Sequence, residues 1–193
     1  MKKQVIADRK TKATAMLDLA TANSNQGAIK ELLHQYAAHN LWANQQITTT
    51  IKLLPAAIIE QEIVSSFSSM YKTVLHLLDA ESIWWQRIKL VEHIDIPSQH
   101  FDDSFEALQQ KLLQQSLQLE QWVNAANEYQ LLHVFGYQRS KSEQQKQPVF
   151  QVLLHLFNHG SYHRGQLVTL LRQAGVTKIP STDFNDWLRQ KKN

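Results

Sequence analysis

Residues 148–175 read PVFQVLLHLFNHGSYHRGQLVTLLRQAG, and the fold follows from this stretch. Pro148 stands where a first helical turn tolerates a missing N–H. Apolar residues then recur at helical intervals, at Leu153, Leu154, Phe157, Leu167, Leu170 and Leu171, until Gly175 supplies a C-terminal stop. A long helix with one apolar stripe needs other helices to cover that stripe.

Working outward, three earlier segments offer such partners. From Ala28, the residues Ile29, Leu33, Tyr36, Asn40, Ala43, Ile47, Ile51 and Leu54 fall three or four apart until Pro55 ends the run. Ser65, Ser66, Ser68 and Ser69 provide N-cap oxygens for a second helix through Val74, Leu77, Leu78, Glu81, Trp84, Trp85 and Ile88, ending near Leu90. A third helix starts near Asp103 or Ser104 and carries Phe105, Leu108, Leu112, Leu119, Trp122 and Val123, with a Gln-rich face read as solvated. Between residues 127 and 147 the strand-like run Leu131–Tyr137 predicts a loop or small hairpin, and residues 182–191 predict a short tail helix. The expected architecture is an all-α four-helix bundle with a C-terminal tail helix.

Composition agrees. Five Gly and four Pro in 193 residues leave few positions to punctuate a many-stranded sheet. Residues 1–25 are polar and basic at first and read as a flexible N-terminal extension, which leaves residues 26–193 for the bundle. No run of about 20 apolar residues and no secretory leader is present, so a cytoplasmic protein with no membrane contact is expected. The small excess of base, +3 overall, gathers at the chain ends in residues such as Lys2, Lys3, Arg9, Lys10, Lys191 and Lys192. No helix concentrates Lys and Arg on one face, so no nucleic-acid partner is expected. Cysteine is absent, which removes disulfides, thiolate ligands and a cysteine nucleophile.

Chemistry must then come from His, Asp and Glu. His155, His159 and His163 lie four apart on the fourth helix, a spacing at which two imidazoles can share one ion. All three cannot, because His155 and His163 are separated by about 12 Å of helical rise. Either His155 with His159 or His159 with His163 forms the pair. His76, mid-way along the second helix between the short residues Thr73 and Ala80, is the candidate third ligand. His34, His93, His100 and His133 read as ordinary core or boundary residues.

Other chemistries lack their residues. A zinc peptidase helix would need a Glu where Gly160 stands. A di-iron bundle needs two Glu-x-x-His motifs, and Glu31 to His34 is the sole match. No phosphate-binding Gly-rich loop and no nucleophile elbow is found.

Four segments resemble one family in order along residues 28–190. Asn158-His159-Gly160-Ser161-Tyr162-His163-Arg164-Gly165-Gln166 is similar to the fourth-helix signature of the DinB family, the DinB/YfiT-like metalloenzymes. Residues 36–44, with Asn40, Trp42, Ala43 and Asn44, resemble its first helix, and residues 69–85 around His76 its second. Thr182-Asp183-Phe184 with Trp187 and Leu188 resembles its tail. The resemblance implies a four-helix bundle holding a divalent metal, zinc or nickel, through His76, His159 and His163, with His155 beside the ligands. It suggests a homodimer and a small-molecule substrate. Its characterised members include metal-dependent transferases that use low-molecular-weight thiols. The family name refers to induction by DNA damage and implies no DNA binding.

Two functions follow as expectations. One is a metal-dependent transferase or hydrolase using metal-activated water or an external thiol, with Asp79, Glu81 and Tyr162 as candidate bases and Arg164 as a candidate anion or acid partner. The other is a non-catalytic metal-binding stress-response module, in which the ion stabilises the bundle and Trp42, Trp84 or Trp85 could serve a dimer face.

Overall fold

Helices α1 (Lys2–Lys52), α3 (Met70–Ile88), α4 (Phe105–Ala125) and α6 (Val149–Gln173) carry the apolar stripes and turn them inward. In this computed structural model α1 packs on α4 and α6, and α3 packs on the same two, so each helix has two neighbours around a four-sided core. The structure describes the backbone of residues 2–140 and 142–191 and the side chains of residues 27–138 and 142–191.

Local signals set the helix ends. Ser69 accepts the Lys72 N–H and Ser104 accepts the Ala107 N–H, so both cap α3 and α4 as their sequences suggest. Gly175 follows α6 at φ 83°, a backbone angle that glycine adopts without the Cβ penalty of other residues. Asp183 caps the tail helix α7 (Phe184–Gln190) by accepting from Asn185 and Asp186. A single-turn helix α2 (Ala56–Ile59) follows Pro55, and α5 (Glu128–Leu132) precedes the hairpin. Strands β1 (Val134–Ser140) and β2 (Glu143–Pro148) pair antiparallel, with Val134 opposite Pro148 and Tyr137 opposite Gln145.

One boundary and one face differ from the sequence reading. The first helix begins at Lys2 rather than near Ala28, because residues 2–27 hold no proline and good helix formers outnumber breakers. Whether residues 1–25 act as a flexible extension lies outside the described side chains. The Gln-rich face of α4 is not wholly solvated either, since Gln109 is buried and donates to the hydroxyls of Thr48 and Thr49.

The apolar core falls into two clusters. One gathers Ile47, Ile51, Met70, Val74, Leu108, Leu112, Leu167 and Leu171; the other gathers Leu33, Ala37, Leu119, Val123, Leu153 and Phe157. Between them along all four helices lies a buried polar layer of Asn40, Asn44, Glu81, Ser116 and Arg164. Arg164 donates through Nη1 to Oδ1 of Asn40 (2.8 Å) and of Asn44 (2.9 Å). The same two amides donate through Nδ2 to Oε1 of Glu81, at 2.7 and 2.9 Å, and Ser116 donates to Oε2 at 2.7 Å. Each asparagine thus links cation to carboxylate, which lets both charges stay buried with partners. Burial pushes the Glu81 carboxyl up, opposed by Asn40, Ser116, Arg164 and Asn44, while burial lowers Arg164 to about 10. The guanidinium therefore stays charged at neutral pH.

Among the described residues no helix is long and apolar enough to cross a membrane.

Candidate metal centre

Two adjacent helices bring three imidazoles to one point. His159 and His163 occupy successive turns of α6, and His76 projects from the facing turn of α3. The donor atoms of His76, His159 and His163 all lie within 4.8 Å of one another. Nε2 of His159 is 3.1 Å from Nε2 of His76 and 3.1 Å from Nε2 of His163.

Hydrogen bonding alone cannot account for this convergence. A ring nitrogen carries either one proton or one lone pair, so His159 Nε2 cannot satisfy both neighbours. A tetrahedral ion bound at 2.0–2.1 Å needs its nitrogens about 3.3 Å apart, close to the spacing found. The donor set therefore fits a divalent metal that accepts imidazole, and the three side chains could hold one ion.

The surroundings favour neutral, oriented rings. Nδ1 of His163 donates to Gln166 Oε1 at 2.8 Å, and Gln166 Nε2 donates in turn to Ser66 Oγ at 3.1 Å. That chain places the His163 proton on Nδ1 and leaves the Nε2 lone pair facing the other two rings. Phe67 stacks on His76 at 4.1 Å between centroids and meets His163 edge-on at 5.5 Å. Nδ1 of His159 is buried without a protein partner among the described residues. Burial, then the charges of His163, His76 and His155, lowers His159 to about 4. Burial and His163 also lower His76, against the pull of Asp79. These two rings are thus unprotonated at neutral pH, the form that binds metal.

The structure leaves His155 outside the trio. Its ring, one turn earlier in α6, is 5.9 Å from that of His159 and 5.6 Å from that of Trp84. Of the three candidate bases, Glu81 must be set aside, because its oxygens are consumed inside the polar layer. Asp79 accepts the Ser98 N–H at 2.9 Å, and Tyr162 is 62% exposed with its ring 5.0 Å from His163. Arg164 is committed to the same layer rather than to a surface ion pair. The three indoles are used within the chain: Trp84 packs on Tyr137, Trp85 on Trp122 and Trp42 on His39.

Sequence reasoning missed Phe67, which sits in the irregular segment before α3 and has no periodicity to betray it. It also missed the support Gln166 gives, although a residue three beyond His163 shares its helix face. His39 was missed as well; its Nε2 meets Thr182 O at 3.0 Å and anchors the tail among Phe184 and Trp187.

A DinB family sequence model matches residues 21–192, a little beyond the span over which the four segments agree. The chain belongs to the DinB family. It is 31% identical over 167 residues to Protein DinB of Bacillus subtilis (strain 168), covering 78% of this chain and 90% of that protein. The crystal structure of a DinB-like protein from Bacillus cereus is similar to it with a TM-score of 0.55 at 17% identity, over 72% of this chain and 89% of that one. The latter likeness shows the helical DinB-like fold, and the histidine trio joins α3 to α6 within it.

Proposed function

We propose that this DinB family protein is a metal-dependent enzyme in which His76, His159 and His163 hold one divalent ion, zinc or nickel. It acts as a transferase or hydrolase on a small molecule, using water or an external low-molecular-weight thiol as nucleophile. The observation that carries this reading is the convergence of three imidazole nitrogens from two helices. When bound, such an ion supplies a Lewis acid that lowers the pKa of water or a thiol towards neutrality.

The residues of the chain do the rest. Gln166 fixes the proton of His163 on Nδ1, and Phe67 restrains the His76 ring by stacking on it. Three protein donors leave at least one coordination position for a reactant, as catalytic rather than structural zinc sites do. His76 and His159 are only half-buried, which keeps that position within reach of solvent. Because the chain has no cysteine, any thiol enters from outside.

A non-catalytic reading is favoured by one fact, that the trio joins α3 to α6 and would staple the bundle when loaded. Metal content by mass spectrometry and thiol conjugation to electrophiles, measured with and without metal, separate the two. Near-stoichiometric metal lost in His76→Ala, His159→Ala and His163→Ala, kept in His155→Ala, with metal-dependent turnover, supports the enzyme. Metal bound in this pattern but with identical thiol and hydrolytic rates in loaded and stripped protein leaves the stapling role. A wild type that takes up no metal ends both.

A further inference from the structure

On the opposite side of α6 from the trio, a cavity of about 460 Å³ opens between that helix and the segment leading into α7. Ser161, Arg164, Gly165 and Arg172 line it from α6, and Thr182 and Asp183 from the tail. Neither arginine in it has a carboxylate within hydrogen-bonding reach among the described residues. Arg164, 1% exposed, places three hydrogen bonds, to Asn40, Asn44 and Ser161, all neutral acceptors. A guanidinium has five N–H donors, so two of them meet no acceptor among the described residues. Arg172 forms no ion pair there and is exposed to solvent. Asp183, the acid on the rim, is occupied in capping α7 through the N–H groups of Asn185 and Asp186. Gly165 leaves the wall open, since a Cβ there would touch nothing within 4 Å.

A buried guanidinium with spare donors, an arginine without an ion pair among the described residues and the cavity that both line describe a receptor for an oxyanion. We infer that this cavity binds a small oxyanion, a carboxylate or a phosphate group, held between Arg164 and Arg172. The fork of a guanidinium matches two oxygens of either group, so the spare N–H donors of Arg164 and the exposed head of Arg172 supply the contacts. The inference stands apart from the metal reading, because none of the cavity residues named here is a histidine of the trio.

The test is isothermal titration of the full-length, metal-loaded protein with inorganic phosphate and, separately, with acetate, at ionic strength held constant with sodium chloride. Saturable binding of one or both is expected, and whichever saturates names the group. Arg172→Ala should weaken it about tenfold, the loss of one charge-assisted contact. Gly165→Leu, whose Cβ would meet nothing within 4 Å and whose side chain would fill the open wall, should abolish it. Both variants should keep the wild-type metal content, and neither should melt below the wild type, Gly165→Leu gaining helix propensity at an exposed position. Heats no larger than the chloride control, or saturation undiminished in both variants, would overturn the inference; the second result would move the anion to the metal.

Discussion

Gly160→Ala offers a test in which two physical effects predict opposite signs. On helix propensity alone, replacing a mid-helix glycine by alanine stabilises by about 1 kcal/mol. Packing argues the reverse. An added Cβ at residue 160 would lie 2.9 Å from Nη1 of Arg164 and 3.0 Å from Oδ1 of Asn40, closer than side-chain carbons sit to such atoms. Nη1 is the atom that both asparagines hold, so the guanidinium must move and loosen at least one of those bonds. Losing one buried hydrogen bond to a charged group, with the strain of overpacking, costs about 2–4 kcal/mol. Subtracting the helical gain of about 1 leaves a net destabilisation of about 1–3 kcal/mol. At roughly 2–4 °C per kcal/mol for a chain of this size, the melting temperature should fall by about 2–12 °C. Gly165→Ala is the control on the same helix, because its Cβ would meet nothing within 4 Å, and it should gain up to about 1 kcal/mol. Urea and thermal unfolding followed by circular dichroism, on metal-free protein, measure both. A Gly160→Ala protein as stable as the wild type, or more so, would refute the claim that Arg164 and the asparagines require a glycine there.

Two further expectations concern the trio. Gln166→Ala removes the acceptor that orients His163, and metal affinity, measured by competition with a chromophoric chelator, should drop about 10- to 100-fold while helical content stays unchanged; unchanged affinity would show that the His163 tautomer needs no support. For the metal-free protein, His159 is held at about 4 when folded against an ordinary 6.5 when unfolded, so the unfolded chain binds more protons between those values. This contribution to stability is complete above pH 6.5 and is lost as pH falls towards 4. Urea midpoints should decline across that window, and His159→Phe should flatten the decline; a slope identical in the two proteins would show that His159 does not titrate as the geometry implies.

The stripes of the four long helices, the serine caps of α3 and α4 and the face on which the chemistry sits were legible in the sequence, because these depend on neighbours a few residues away, whereas the start of α1 at Lys2 was not. Periodicity placed the stripe of α6, serines placed the starts of α3 and α4, and the four-residue spacing of His155, His159 and His163 put them on one face. Spacing could not choose between the two overlapping pairs, since both satisfy the same helical geometry. The resemblance of the 158–166 stretch to the DinB family made that choice, and the fold brings the donor atoms of the chosen pair and of His76 within 4.8 Å of one another. Tertiary structure alone decided what crosses between helices. Glu81 and Arg164 looked like candidates for chemistry while their partners were unknown; the fold ties both into a buried layer with Asn40, Asn44 and Ser116, residues up to 124 positions away in the chain. Phe67 reaches His76 only because the segment before α3 folds back over the trio. Such contacts join residues with no common period, so no local pattern encodes them, and a polar residue on an inward stripe reveals its role only when the facing helix is in place.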